Sequence, residues 1–367
     1  MAKKLYYEDV KPKVLIIGVQ TPDNRTSNIE AYYDEFKNLL KTNDVVYEEE
    51  LYIKLREIDK VTFLTKGKLQ EVKDFCEKNQ IEEVVFSEIL TPLQERNLRD
   101  FLECNVADRT QLILEIFEKA AHTAEGKLQV ELATLQHKKT RLAGKGVHMS
   151  QQGGGIGVKG GSGETEKERE TRYIEEAILR LKKHLEKIQT SRATQRKQRL
   201  GAGIPQICLI GYTNAGKSTI LNALAKSDVL AKDQLFATLD TTTRELFISG
   251  KKKGVLSDTV GFIQNLPPKL IEAFKSTLSE LLYADLLLQV IDLSDPNFEN
   301  HIRVVNAILK DLEVEKNMLY VFNKADRVEN LEEREILIEK YEPHVVISSL
   351  SKDGLKPLID FLDKWEK

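Results

Sequence analysis

Gly211-Tyr212-Thr213-Asn214-Ala215-Gly216-Lys217-Ser218 stands between an apolar run, Ile207-Cys208-Leu209-Ile210, and a segment of helical spacing, Thr219-Ile220-Leu221-Asn222-Ala223-Leu224. Strand, glycine-bearing loop and helix in that order form the context in which this pattern cradles phosphates. The glycines let successive backbone N–H groups turn inward, and the helix N-terminus adds further donors. Lys217 then reaches the β- and γ-phosphates, and the Ser218 hydroxyl ligates Mg²⁺. The stretch predicts an α/β domain with a mostly parallel sheet.

The base is read further along. Asn323-Lys324-Ala325-Asp326 follows the apolar run Met318-Leu319-Tyr320-Val321-Phe322, which reads as a buried strand. A carboxylate placed there accepts from the ring N–H and exocyclic amine of guanine, a donor pair that adenine lacks, so Asp326 selects GTP over ATP. Between the two motifs lies Asp258-Thr259-Val260-Gly261, after Gly254-Val255-Leu256-Ser257. An aspartate at a strand end holds Mg²⁺ through water, and the Gly261 N–H senses the γ-phosphate. Ser348-Ser349-Leu350, after His344-Val345-Val346-Ile347, suits a loop closing over guanine.

Taken with Phe236-Ala237-Thr238-Leu239-Asp240, Asp258-Thr259-Val260-Gly261-Phe262-Ile263, Glu125-Gly126-Lys127-Leu128-Gln129-Val130-Glu131-Leu132 and Gly153-Gly154-Gly155-Ile156-Gly157 with Gly163-Glu164-Thr165, these motifs resemble the HflX family of translation-factor-class P-loop GTPases. The similarity runs from about Pro92 to the C-terminus and is weaker before it. The resemblance implies a cytoplasmic, Mg²⁺-dependent GTPase that binds the large ribosomal subunit and splits or rescues stalled ribosomes, notably under stress. It implies that residues 236–240 form the first switch and that Thr238 joins Ser218 on the metal, with Thr241, Thr242 and Thr243 as rivals. Lys217, Thr238 and Gly261 are the expected catalytic groups. By analogy with other GTPases carrying asparagine at this place, Asn214 would hold K⁺; the alternative is an asparagine chosen for tight-loop backbone geometry.

The chain departs from the family in three places. Ser162 and Thr241 stand where the family usually has proline, so both loops lose a fixed φ. With Trp365-Glu366-Lys367 as the last residues, the additional C-terminal domain of some members is not expected here. Many GTPases carry, after Asp-x-x-Gly, a glutamine that orients the attacking water. Phe262 stands here, and a phenyl ring makes no such bond. Slow hydrolysis by the isolated protein follows, with acceleration once a partner orders the switches.

The 367 residues suffice for two or three domains, and 41% hydrophobic with 31% charged residues describes a folded, soluble chain. No apolar run approaches the roughly 20 residues that span a bilayer, and the N-terminus lacks a signal-peptide core. Cys76, Cys104 and Cys208 have no metal spacing and fit a reducing cytosol. Net charge is −3, so any RNA contact rests on local patches.

Three parts are expected. Residues 1–115 alternate strands (Val14 to Val19, Glu83 to Phe86) with helices (Ile29 to Leu40, Lys68 to Asn79), an N-terminal α/β domain. Its Thr65-Lys66-Gly67-Lys68 is too short for a phosphate loop, which weighs against ATP-driven RNA remodelling by this domain. Residues 116–200 hold two leucine-isoleucine seams near a 3.5-residue period, Leu128, Leu132, Leu135 and Leu142, then Ile174, Ile178, Leu181, Leu185 and Ile188. Nine of the 20 glycines lie between Gly144 and Gly163 and force a reversal, giving an antiparallel helical hairpin with a tip loop over 143–163. From Leu132 to Gly163 there are five basic residues and no acidic one; from Lys182 to Arg199 there are seven against Glu186 alone. Phosphates reward that imbalance, so tip and basic helix are expected to touch ribosomal RNA. Residues 201–367 form the GTPase domain of what is expected to be a monomer. The rivals are a GTPase for large-subunit assembly and a signalling switch with a protein partner.

Overall fold

The computed structural model describes residues 12–22, 28–144, 166–225, 234–236, 238–239, 242–267, 270 and 280–366. They fall into two compact units, Met1–Glu115 with His137–Ile174, and Ile116–Gln136 with Glu175–Lys367.

The first unit holds β1 (Val14–Gln20), α1 (Ile29–Thr42), β2 (Glu49–Lys54), α2 (Lys66–Asn79), β3 (Glu83–Phe86), α3 (Pro92–Leu102) and β4 (Asn105–Ala107). The strands pair in parallel in the order β2-β1-β3-β4. Central β1 reads as an unbroken apolar run because it is covered on both faces. The Asn28 side chain caps α1 by accepting from the Ala31 N–H, and the stripe Tyr32, Phe36, Leu39 and Leu40 is buried. In α3, Thr91 and Gln94 form a capping box with Pro92 in the first turn. Edge strand β2 buries only Ile53, and β4 is three residues long; neither has the apolar run that marks β1 and β3. Thr65 stands at the N-cap position of α2, without a side-chain capping bond, and Lys66-Gly67-Lys68 begin the helix, so this stretch is a helix start.

Three further helices follow: α4 (Arg109–Ala120), α5 (Ala124–Gly144) and α6 (Glu166–Gly201). Within the first unit, Arg141 donates to the Leu90 carbonyl at 2.9 Å and to Asp108 at 2.8 Å, and pairs with Glu95 at 2.7 Å. Fully buried Arg109 pairs with Glu35. Partnering of this kind is what makes buried guanidinium groups tolerable. Within the second unit, the two expected seams meet: Leu132 packs with Leu181 and Leu185, flanked by Leu128, Leu135 and Ile178. The expected tip, with Lys145, His148 and Lys159, lies outside the described residues from position 145 on.

The rest of the second unit is β5 (Gln206–Gly211), α7 (Lys217–Ala225), β6 (Thr242–Ile248), β7 (Lys251–Asp258), β8 (Leu286–Asp292), α8 (Phe298–Asp311), β9 (Met318–Asn323), α9 (Leu331–Ile338), β10 (His344–Val346) and α10 (Lys356–Lys364). The sheet order is β10-β9-β8-β5-β7-β6, parallel except for β6 against β7. One face carries Ile207, Leu209, Leu288 and Val290 with Leu221 of α7 and Leu358 of α10. The other carries Cys208, Ile210 and Leu287 with Val305 and Leu309 of α8. The buried, apolar Cys208 is a packing residue, and the carboxyl ends of β5, β7 and β9 deliver the expected motifs to one rim.

Candidate nucleotide site

Strand β5 is buried along its whole length, and the loop from Tyr212 to Gly216 leads directly into α7. Gly216 has φ +101°, and a Cβ there would lie 2.2 Å from Nδ2 of Asn323. Any side chain would push the loop off that neighbour. Asn214 takes a left-handed φ of 61°, the geometry for which asparagine is favoured in tight loops, and its side chain is exposed. Lys217 is buried and its Nζ donates to the carbonyls of Tyr212 at 2.8 Å and Gly211 at 3.2 Å. Burial pushes its pKa down to about 8, opposed by the nearby Asp258 carboxylate.

Asp258 ends β7 with no exposed surface. Its Oδ2 accepts from Ser218 Oγ at 2.6 Å, while its buried Oδ1 has no hydrogen-bond partner among the described residues. Burial raises its pKa, with Lys217 and Ser218 pulling the other way. Ser218 Oγ also lies 2.7 Å from Thr238 Oγ1. Hydroxyl, hydroxyl and carboxylate oxygens are the hard donors that Mg²⁺ takes, and the unpartnered Oδ1 is a group such an ion or its water would satisfy. Thr243 bonds Ser257 at 2.9 Å and Thr242 lies opposite Asp258 within the β6–β7 ladder. Ala237, Asp240 and the third rival, Thr241, lie outside the described residues.

A pocket is lined by Thr213, Asn214, Gly216, Lys217, Ser218, Thr219, Gln234, Phe236, Thr238 and Gly261. A Cβ on Gly261 would come within 2.8 Å of Thr213 Cα and 3.0 Å of Lys217 Nζ, so this contact also demands glycine. Thr259 Oγ1 donates to the Leu209 carbonyl at 2.7 Å, and Val260 is buried. Phe236 and Leu239 are buried, and the Phe236 ring meets Phe117 edge-on with centroids 4.7 Å apart. The phenyl ring of Phe262 is turned into the core with Ile210, Leu287 and Val305, away from the pocket. Ala215 is buried within the loop.

The segment after β9 comes to the same rim. Asn323 Nδ2 donates to the Ala215 carbonyl at 2.9 Å, and its Oδ1 accepts from the Ser349 N–H at 3.0 Å. Asn323 is therefore a strut joining the glycine loop to the Ser348–Leu350 loop. Lys324, at a left-handed φ of 63°, is held by Asp292 at 2.6 Å. Asp292 in turn accepts from Ser294 Oγ at 2.5 Å. Ala325 N–H donates to the Ile347 carbonyl, and the exposed Asp326 accepts from Ser348 Oγ at 2.5 Å. Leu350 is 74% exposed at this mouth. Sequence reading missed Asp292, which ends β8 much as Asp258 ends β7, and also Thr219 and Gln234. The signal for Asp292 was its place at a strand end in the same sheet.

A glycine loop between β5 and α7, an aspartate at the end of β7 and a guanine-type motif after β9 define a P-loop GTPase. Comparison with known proteins agrees. Residues 206–324 match the model of the 50S ribosome-binding GTPase, residues 30–118 that of the GTP-binding GTPase N-terminal region and 120–199 that of its middle region. A GTPase HflX of Magnetococcus marinus is 42% identical over 353 residues, 95% of this chain and 81% of that protein. The Escherichia coli GTPase HflX is 42% identical, over 82% of this chain and 71% of its own. A crystal structure of SsGBP with GDP is 26% identical, with a TM-score of 0.50 over 96% of this chain and 98% of that one. The chain belongs to the HflX GTPase family. No helix among the described residues is long and apolar enough to cross a membrane.

Replacing Asn323 by alanine removes both struts and leaves the Ser349 N–H without its acceptor, a cost of about 2 kcal/mol. GDP affinity, read with a fluorescent analogue, should fall about 30-fold, since each 1.4 kcal/mol is about tenfold.

Proposed function

We propose that the rim of the second unit binds GTP with Mg²⁺, and that the loaded chain engages the large ribosomal subunit to split or rescue stalled ribosomes. The backbone N–H groups from Thr213 to Lys217 would wrap the phosphates, while the Lys217 ammonium offsets charge gathering on the β–γ bridge. Ser218 and Thr238 would hold the metal directly and Asp258 through water; bound there, Mg²⁺ neutralises phosphate charge. Gly261 would offer its N–H to the γ-phosphate. Asp326, oriented by Ser348, would read guanine, with Lys324 placed by Asp292 and Ser349 and Leu350 closing the mouth.

The ribosomal part of the reading is carried by one observation beside the family match. Arg180, Lys183, His184 and Lys187 fall at i, i+3, i+4 and i+7 on α6 and line one shallow groove with Glu186 and Thr190. A cationic helix face of this kind suits a phosphate backbone. GTP would favour the bound state and hydrolysis would release it, which requires different ribosome affinities in the two nucleotide states.

Five measurements check this reading. Thr238→Ala should abolish the Mg²⁺-dependent gain in GTP-analogue affinity in a titration with and without the metal; unchanged metal dependence would reject Thr238. Sedimentation with a non-hydrolysable GTP analogue should carry the protein with mature large subunits. Alanine at Arg180, Lys183 and Lys187 together should flatten the slope of log affinity against log salt by roughly 2 to 3, at about 0.7 to 0.9 per phosphate contact. Binding only to precursor particles would instead mark an assembly factor, and no ribosomal binding a signalling switch. Turnover should be slow in the free chain, because Phe262 offers no hydrogen bond, and rise with added large subunits. If Asn214 holds K⁺, that turnover is faster in K⁺ than in Na⁺; equal rates remove the role.

A further inference from the structure

Tyr212 occupies the second place of the glycine loop, yet its side chain is buried and turned away from the phosphate pocket. Its ring stacks on the imidazole of His301 in α8, with centroids 3.8 Å apart and planes 11° from parallel. Its hydroxyl accepts a hydrogen bond from the backbone N–H of Gln264 at 2.8 Å. Gln264 lies three residues beyond Gly261, in the loop that carries the γ-phosphate-sensing N–H. Two backbone bonds run alongside: Thr213 N–H to the Phe262 carbonyl at 2.8 Å, and Phe262 N–H to the Gly211 carbonyl at 3.2 Å. The same residue's carbonyl receives Lys217 Nζ.

We infer that Tyr212 is a positioning residue for GTP hydrolysis, whose hydroxyl fixes the loop after Gly261 to the phosphate-binding loop and whose ring is aimed by His301. The backbone pair fixes Phe262, the residue after Gly261. The Tyr212 hydroxyl adds a third tie at Gln264, so the backbone leading away from Gly261 is held to the phosphate-binding loop at Phe262 and again two residues further on. A hydroxyl at the tip of a rigid, stacked ring supplies that tie at little entropic cost, because a tyrosine has few rotatable bonds to immobilise. The contact is specific to a phenol at this place: a smaller residue does not reach Gln264, and phenylalanine reaches it with nothing to accept the N–H. The buried Gln264 N–H would then lack that acceptor in the closed arrangement, which biases the loop toward open forms.

The inference rests on the assignment of the phosphate pocket made above, and the two fail differently. Absence of GTP binding by the unsubstituted chain would refute the pocket; the tests below address Tyr212 alone. In single-turnover assays of the full chain with Mg²⁺-GTP, Tyr212→Phe should lower the hydrolysis rate about three- to tenfold, the loss of one hydrogen bond used in the transition state. GDP affinity and the thermal midpoint of the GDP-bound protein should stay close to those of the parent. His301→Ala should lower the rate in the same direction, and His301→Phe, which keeps a flat ring beneath the tyrosine, should restore most of it. An unchanged rate in Tyr212→Phe would overturn the inference. So would a parallel fall of rate, GDP affinity and thermal midpoint, which marks a packing role. If Tyr212→Phe does not fold, the His301 pair decides, and equal rates in alanine and phenylalanine variants count against the inference.

Discussion

The arrangement of the second unit depends on two opposite charges sealed at one strand end without full mutual satisfaction. Lys217 is buried against loop carbonyls and Asp258 is buried with one oxygen unpartnered. Each would be expensive alone, because burial penalises an ion by several kcal/mol even after the surroundings relax. Their pKa values move toward neutrality from both sides, the lysine down and the aspartate up, for that reason. In the proposed complex a phosphate chain would bring negative charge to the lysine and a cation positive charge to the aspartate, relieving the penalty on both. The rigid sheet beneath holds the residues in place before the ligand arrives, which is the purpose of pre-organisation.

Much of this was legible because the key residues are local in sequence. The glycine loop, Asp258 to Gly261 and Asn323 to Asp326 each follow a strand whose apolar run announces it. What local reading misses is partnership. Asn323 belongs to a base-recognition motif by position, yet its side chain is spent on Ala215 and Ser349, 108 and 26 residues away. No pattern in the chain couples Tyr212 to Gln264 and His301. Edge strands β2 and β4 escaped because one is half-exposed and the other too short to show a period. Sequence leaves the choice among switch threonines open; in the structure Thr238 bonds Ser218 and Thr243 bonds Ser257.

The two halves of the site are built by different means. The phosphate side is mostly backbone, with glycine required where Asn323 and Thr213 approach closely, so it tolerates little change in shape. The base side is mostly side chain on side chain: Asp292 to Lys324, and Ser348 to Asp326. Charge-assisted bonds of this kind are strong and directional, and they orient the groups proposed to read the ligand. The asymmetry matches the task, since phosphates are common to all nucleotides and the base alone distinguishes them.

The ring of Phe262 lies among Ile210, Leu281, Leu287 and Val305 and is 2% exposed. A glutamine placed there would inherit that apolar surround, and its amide would need to find partners inside a hydrocarbon wall or pull the segment out of it. Either course costs on the order of 2 kcal/mol or more. The familiar glutamine is thus barred by packing at this position: exchanging the two residues would first require reshaping the hydrocarbon slab beneath.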